Sequence, residues 1–302
     1  MCGWLSRIRG WSCKGGGLLV ALKGAIAMLW RRFSSFLSLL TFVGLSPLLG
    51  AQQGKTLKLG EVLERLQANL DHYDAGVPSL FCDEQVVSSR TEPGERDLKI
   101  TTNSVFWLKR TLQADQTTTL VESREVKSVD QEPPSSQPED EPALLSGLFE
   151  GGLAVVSVSQ TSCINYKLEQ GKRTGPIVVR FATMLTPRNT ADCFLQEESK
   201  GQVYIDPASM QVKRLEITTP RHLIVDQESY RAPETGRREL TVEYAPVLLG
   251  SESFWMPSSI TMRTTSGSGF DVSVWTFRAT YRNYHRLEVK SRILDTPMTV
   301  VH

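Results

Sequence analysis

The sequence carries almost no net charge, since 34 lysine and arginine side chains are balanced by 33 aspartates and glutamates. Proteins that bind nucleic acid favour a basic surface, so the balance gives no indication of such a partner. A strongly acidic, disordered chain is excluded for the same reason. Hydrophobic residues make up 40% of the chain, which is enough for a real core.

Metal-ligand motifs are missing as well. The sequence has no Cys-x-x-Cys pair, and its four histidines are scattered without the spacing of a metal site: His72, His222, His285 and His302. Neither a metal nor any other cofactor is expected.

A recognisable catalytic motif is also lacking. A serine hydrolase places its nucleophile on a sharp turn such as Gly-x-Ser-x-Gly, whereas the nearest look-alike, Ser-Gly-Ser-Gly at 266–269, resembles an ordinary hairpin loop. The neighbours Glu197 and Glu198 resemble a solvated surface more than an acid–base pair. We therefore expect no enzymatic activity, and a hydrolase without a recognisable motif is kept as the third interpretation.

The first 51 residues predict a signal peptide. Arg31 and Arg32 supply a positive start, residues 33–49 form an uncharged apolar run, and the small residue Ala51 suits cleavage. Residues 1–27 are either an over-long leading segment or the result of a start codon assigned too early. The predicted location is the periplasm or the extracellular space. The alternative is an uncleaved membrane anchor, because the run is about long enough to span a thin bilayer.

Three cysteines remain after such a leader: Cys82, Cys163 and Cys193. In an oxidising compartment they allow one disulfide and one leftover thiol. We favour Cys163–Cys193, because both lie in consecutive strand regions, although the pairing of three cysteines cannot be deduced from sequence. Cys82 lies in a strand-like segment and is expected to be buried.

The apolar pattern predicts one clear helix and then many strands. Over residues 57–73, apolar residues recur at three- and four-residue spacing, which indicates an amphipathic helix. The period then changes to two, with an acidic, proline-rich loop at 130–142. Strands are predicted over residues 80–90, 98–110, 117–126, 155–160, 164–170, 177–184, 201–206, 211–218, 239–244, 254–264, 270–282 and 286–293.

This pattern predicts a mainly β protein with few helices (α+β). We expect a single domain over 52–302, in which a large curved antiparallel sheet or incomplete β-barrel packs on the N-terminal helix.

Three segments resemble the outer-membrane lipoprotein-carrier (LolA/LolB-like) superfamily, of which this chain would be a distant secreted bacterial relative. They are the leader followed directly by the helix at 57–73, the strand–turn–strand GQVYIDPASMQVKRLEI, and FWMPSSITMRT followed by a long strand ending in YRNYHRLEV. The resemblance implies a periplasmic protein whose incomplete β-barrel wraps over helices. It also implies a concave apolar face that holds acyl chains.

Adjacent aromatic residues give the candidate ligand site. In a strand, neighbouring side chains point to opposite faces, so each adjacent aromatic pair has one ring in the core and one on the other face. A concave face with such rings would be a ligand site, a flat one would mark a partner surface, and core packing alone is the simpler alternative. The predicted ligand-binding residues are Phe106, Trp107, Phe254, Trp255, Trp275 and Phe277.

The leading functional hypothesis is an exported binding protein that holds a lipid or lipidated peptide in the concavity of the sheet. The alternative is a structural or sensory module that binds a protein partner of the cell envelope. Nucleic acid is not expected as a partner, and membrane contact is expected only through the leader or transiently.

Overall fold

The computed structural model describes residues 57–113, 118–134, 148–169, 175–224, 234–268 and 271–288. The predicted signal peptide, its alternative as a membrane anchor and most of the acidic loop at 130–142 lie outside the described residues. The strand predicted over 286–293 also falls mostly outside them. Within the described part of the chain, no helix is long and apolar enough to span a membrane.

Helix α1 spans Leu59–Gly76, close to the predicted helix at 57–73. Its apolar stripe buries Val62, Leu63 and Leu66 completely or nearly so. The helix ends at Val77, whose φ of −59° and ψ of 121° lie outside the helical region. Pro78 follows it, and a proline disfavours the helical conformation of the residue before it. Its apolar stripe faces the sheet, as the three- and four-residue spacing predicts.

The ten strands of the described chain form one antiparallel sheet, which is curved and does not close into a barrel. Its order is β3-β2-β1-β10-β9-β8-β7-β6-β5-β4, so that β3 and β4 are the edges. The predicted fold class is therefore confirmed. The strands are β1 (Leu80–Thr91), β2 (Leu98–Leu112), β3 (Thr118–Val129), β4 (Ile164–Glu169), β5 (Ile177–Thr183), β6 (Lys200–Ile205), β7 (Val212–Ile224), β8 (Glu234–Leu249), β9 (Glu252–Ser268) and β10 (Asp271–Arg286).

The two faces of the sheet differ in burial, and the register keeps the buried residues together. On β2, Phe106 and Leu108 are fully buried while Trp107 between them is half-buried. Phe106 lies opposite Cys82 of β1, which is also buried. We call the face that carries these buried side chains the inner face, and the opposite one the outer face. Helix α1 packs over the inner face, which contains the core.

Residues 155–160 were predicted to form a strand, and this prediction is wrong. The segment forms two short 3₁₀ helices, Gly152–Val156 and Val158–Gln160, which follow the four-residue helix α2 (Leu148–Gly151). Val155 and Val156 are both buried, so the alternation of a strand is absent. The Ser157 hydroxyl accepts a hydrogen bond from Ser159 N–H and so begins the second turn.

The predicted disulfide between Cys163 and Cys193 is confirmed, with the two Cα atoms 5.6 Å apart. It joins the residue before β4 to the segment that leads into β6. Both cysteines are buried. Cys82 is a buried free thiol, as expected.

Candidate functional site

A narrow cleft lies between α1 and the inner face of the sheet. Side chains of the second half of α1 form one wall of the cleft. The first residues of β7 and β9 and the 3₁₀ helix Gly152–Val156 form the other wall. The lining residues are Leu66, Asn69, Leu70, His72, Tyr73, Leu153, Val156, Gln211, Val212, Ser253, Phe254 and Trp255. Most of these side chains are apolar or aromatic, with a few polar groups, which is the composition of a typical small-molecule site.

The cleft is closed in this conformation. Its volume is about 20 Å³, which is room for about one water molecule. Phe254 is 3% exposed and stacks on the ring of His72, with ring centroids 5.5 Å apart. An apolar ligand of any size therefore needs the α1 wall to move away from the sheet.

Polar contacts hold α1 against the neighbouring segments. The Asn69 side-chain amide donates to the carbonyl of Met210 at 2.7 Å. Gln67 accepts hydrogen bonds from the Ser157 hydroxyl and the Val158 N–H, both at 3.0 Å. These contacts lie at one edge of the apolar stripe, so that α1 is fixed by side-chain hydrogen bonds as well as by burial.

The C-terminal end of α1 is held to β2 and α2. Arg110 donates to the carbonyl oxygens of Val77 and Asp74, at 2.8 and 2.7 Å. The Tyr73 hydroxyl donates to the carbonyl of Phe149 at 3.0 Å. Burial raises the pKa of Tyr73 far above its ordinary value, so this hydroxyl keeps its proton and acts as a donor.

The six predicted ligand residues do not meet in one place. Phe254 and Trp255 line the cleft. Phe106 and Phe277 belong to the core, at 0% and 5% exposure. Trp275 is half-buried, with the guanidinium of Arg90 5.0 Å from its ring.

Trp107, the sixth of them, lies on the outer face. Phe81 is placed between Trp107 and His285, with ring centroids 5.2 and 5.0 Å apart. The exposed cations Lys109, Arg278 and Arg282 lie on the same face, and none of them has an ion pair within the described residues. We call the following residues the outer aromatic–basic patch: Phe81, Trp107, Lys109, Arg278, Arg282 and His285. Ligand binding by the six predicted residues stays a prediction.

An ion pair on the inner face was missed by the sequence analysis. The Arg124 Nε donates to both carboxylate oxygens of Glu84, at 2.9 and 2.8 Å, and the two side chains are 8% and 0% exposed. The guanidinium lies 4.9 Å from the ring of Phe106. Burial alone lowers the pKa of Arg124, but the Glu84 carboxylate outweighs burial and raises it. The alternation of side chains along each strand could have indicated the pair. Glu84 on β1 and Arg124 on β3 both occupy positions whose side chains point to the inner face.

A second charged cluster gathers around Glu197. Its carboxylate accepts hydrogen bonds from His222 Nδ1 at 3.0 Å, from the Leu223 N–H at 2.9 Å and from Arg238 at 3.3 Å. Burial by itself raises the pKa of Glu197, but these hydrogen bonds and the charges of His222 and Arg238 together lower it below its ordinary value. Glu197 is therefore a structural anchor rather than a solvated side chain, whereas Glu198 is exposed, as expected.

The outer face also has an open hollow of about 520 Å³ over β4 to β7. Its lining is polar and charged, and includes Lys167, Arg180, Lys200 and Glu216. Such a surface does not suit an acyl chain. Among the described residues, no group of three or more His, Cys, Asp or Glu side chains is placed to hold a metal.

Comparisons with known proteins give a distant likeness only. No protein-family model and no curated protein matches the chain. A LolA superfamily protein from Nitrosomonas europaea is 9% identical, with a TM-score of 0.29 over 76% of this chain and 94% of that one. A DUF1329 family protein from Desulfovibrio piger is 10% identical, with a TM-score of 0.32 over 77% and 94%. MucB in complex with MucA(peri) is 11% identical, with a TM-score of 0.18 over 73% and 93%.

One of these distantly similar solved structures is thus a LolA superfamily protein. The ligands and partners of those proteins give no information on this chain, because identities and TM-scores are low.

Proposed function

We propose that this chain is an exported, non-enzymatic binding protein that holds the apolar part of a lipid or lipidated peptide between α1 and the inner face of the sheet. The observation that carries the proposal is the cleft between α1 and β9, whose walls are Leu66, Leu70, Phe254 and Trp255. Moving an acyl chain out of water into such a cleft stabilises the complex by about 0.8 kcal/mol per buried methylene.

Export is supported by the Cys163–Cys193 disulfide. Disulfides persist in oxidising compartments such as the periplasm and the extracellular space, and are rare in the cytosol. The predicted signal peptide over 1–51 would supply the route.

Binding requires α1 to open, because the closed cleft holds about 20 Å³. The helix connects to β1 through only Val77, Pro78 and Ser79, so this short segment can act as the hinge. Opening breaks the hydrogen bonds of Gln67 and Asn69 and exposes the apolar stripe. A ligand that covers the stripe replaces the burial that is lost.

The test compares two tryptophans that the structure separates. The purified protein is titrated with 1-monolauroylglycerol, and binding is measured by calorimetry for the wild type, Trp255→Ala and Trp275→Ala. We expect Trp255→Ala to weaken binding at least tenfold, because an aromatic contact worth about 1.5–3 kcal/mol is lost. Trp275→Ala, which is distant from the cleft lining, should leave it unchanged. Binding that depends on Trp275 alone, or no binding by the wild type, would overturn the proposal.

A second candidate, a protein-interaction module, is favoured by one observation. The outer aromatic–basic patch combines stacked rings with exposed cations, a composition suited to an acidic protein partner. If this candidate is right, the purified protein carries no lipid in native mass spectrometry. Replacing Lys109, Arg278 and Arg282 together by glutamine would then abolish capture of an acidic envelope protein, whereas Trp255→Ala would leave that capture unchanged.

A further inference from the structure

The ring of Phe149 fills a pocket on the inner face beneath α2. Phe149 is 3% exposed, and its ring centroid lies 4.4 Å from that of Phe106 and 4.9 Å from that of Tyr281. The two contacts place it between β2 and β10, directly over the inner face. Phe149 therefore occupies space that would otherwise be a hollow in the sheet.

Two hydrogen bonds of the Phe149 backbone also hold α2 in place. It has four residues, which is far too short to be a stable helix without tertiary contacts. The Phe149 N–H donates to Glu122 at 2.8 Å, and the Phe149 carbonyl accepts from Tyr73 at 3.0 Å. Because Tyr73 also lines the cleft, movement of α1 removes one of these two hydrogen bonds.

The floor of this pocket is polar. In register across three strands, Glu84 lies opposite Ser104 on β2 and opposite Tyr281 on β10. Ser104 and Tyr281 are each 4% exposed, and neither hydroxyl makes a hydrogen bond of ordinary geometry within the described residues, although the Tyr281 hydroxyl faces the Glu84 carboxylate and Arg124. Buried hydroxyls without a partner are uncommon and costly in native proteins, so they require an explanation.

We propose that the pocket filled by Phe149 is a second subsite of the ligand site, in which the Ser104 and Tyr281 hydroxyls bind the ester or amide carbonyl of an acylated ligand once Phe149 has withdrawn. This inference rests on the proposed function, since it places the polar group of the same ligand whose acyl chain occupies the cleft.

The chemistry of the floor selects a neutral acceptor group. A hydroxyl donates to a carbonyl oxygen without a change of charge. Arg124 and Glu84 already neutralise each other, so a charged headgroup would enter this buried site without a counter-ion, which is strongly unfavourable. An ester or amide next to an acyl chain avoids that penalty.

The first test opens the pocket. Phe149→Ala is compared with Phe181→Ala, since both phenylalanines are 3% exposed but Phe181 lies on β5, outside the cleft lining. We expect Phe149→Ala to bind 1-monolauroylglycerol about tenfold more tightly than the wild type, because the competing ring is removed, and Phe181→Ala to bind it as the wild type does. Equal effects of the two variants, or no gain with Phe149→Ala, would overturn the role of Phe149.

The second test removes the hydroxyls. Tyr281→Phe and Ser104→Ala are titrated with 1-monolauroylglycerol and with 1-O-dodecylglycerol, which has the same chain length and glycerol group but no carbonyl. We expect each variant to lose about fivefold in affinity for the ester, the effect of one net hydrogen bond, and to bind the ether unchanged. Equal changes for both ligands would contradict carbonyl recognition.

The two proposals fail in different ways. If neither the wild type nor any variant binds either amphiphile, the proposed function is wrong. A different result would leave the cleft supported and the second subsite wrong. In that result the wild type binds both amphiphiles, Trp255→Ala weakens the binding, and the Phe149 and Tyr281 variants bind with the affinity of the wild type. Thermal melts verify that each variant is folded, and loss of a hydroxyl without a partner is expected to leave the melting temperature unchanged or higher.

Discussion

The Nε of Arg110 donates a hydrogen bond to the carbonyl oxygen of Val77, 2.8 Å away, and so joins the C-terminal end of α1 to β2. The carbonyls in the last turn of a helix have no partner within the helix. Arg110 satisfies two of the carbonyls in this region, since it also donates to Asp74.

Replacing this residue should loosen α1. We expect Arg110→Ala to lower the free energy of unfolding by about 1.5–3 kcal/mol, the range for a hydrogen bond to a charged group. Hydrogen exchange at the amides of the last turn of α1 should become faster. The neighbouring Lys109→Ala, on an exposed side chain of the outer face, is the control and should change neither measurement. Unchanged exchange in Arg110→Ala would show that burial alone holds the helix.

The buried ion pair Glu84–Arg124 should be highly sensitive to loss of one partner. Arg124→Met leaves a carboxylate buried without a counter-ion, which we expect to cost about 3–5 kcal/mol in urea denaturation. The exposed pair Glu125–Lys127 on the same strand is the matched control, and Lys127→Met should cost less than about 1 kcal/mol. The double variant Glu84→Met/Arg124→Met should recover part of the loss. Equal costs for the two single variants would contradict burial as the cause.

The sequence pattern predicts most of the fold, because period-two alternation and the helical stripe are local signals. The helix near 57–73, the antiparallel sheet and the Cys163–Cys193 bond are all confirmed. The strand predicted over residues 155–160 is wrong, because the valines in this segment favour a strand by propensity alone. Tertiary contacts set the actual conformation, such as the hydrogen bond that the Tyr166 hydroxyl donates to the Val155 carbonyl at 2.7 Å.

The site was only partly predictable. The sequence gives no register between distant strands, so it could not separate Trp255, which lines the cleft, from Phe106 in the core. It also could not show that Glu84 and Arg124, 40 positions apart, share one buried location.

The Cys163–Cys193 disulfide should contribute strongly to stability. The cysteines are 30 positions apart, and closing a loop of that size stabilises a protein by about 3–4 kcal/mol in the chain-entropy model. We expect Cys163→Ala/Cys193→Ala to lose about this amount in urea denaturation. Alkylation followed by peptide mapping is the control, and it checks that Cys82 is still a free thiol in this variant.

Cys82 should resist alkylation in the native protein. Burial, aided by the Glu84 carboxylate, raises the pKa of Cys82 to about 12, and the thiolate is the reactive form. Modification of Cys82 should appear only under denaturing conditions. Rapid native modification would show that the inner face opens to solvent around β1.

Gly201 should be intolerant of any side chain. A Cβ at this position would lie 2.0 Å from the carbonyl oxygen of Glu216 and 2.4 Å from the ring of Phe181. Gly201→Ala therefore forces β6 and β7 apart, and we expect a loss of more than about 2 kcal/mol with a lowered melting temperature. Gly60→Ala is the control, because nothing lies within 4 Å of its Cβ position and alanine favours the helix, so it should be neutral or stabilising. Similar melting temperatures for the two variants would contradict the close packing.

The Glu197 cluster should make the stability depend on pH in the acid range. The pKa of Glu197 is lowered in the folded protein: burial opposes the shift, but the hydrogen bonds from His222 and Leu223 and the charge of Arg238 outweigh it. A lowered folded pKa means that the contribution is present above the unfolded pKa, about 4.3 for glutamate. It is lost as the pH falls through the lower folded value, since the unfolded chain binds the proton first. The difference in unfolding free energy between wild type and Glu197→Gln should therefore be constant near pH 5.5 and shrink towards pH 3. Glu198→Gln, on an exposed side chain, should show no such trend, and a difference for Glu197→Gln that does not change with pH would show that its carboxylate is not held ionised by these partners.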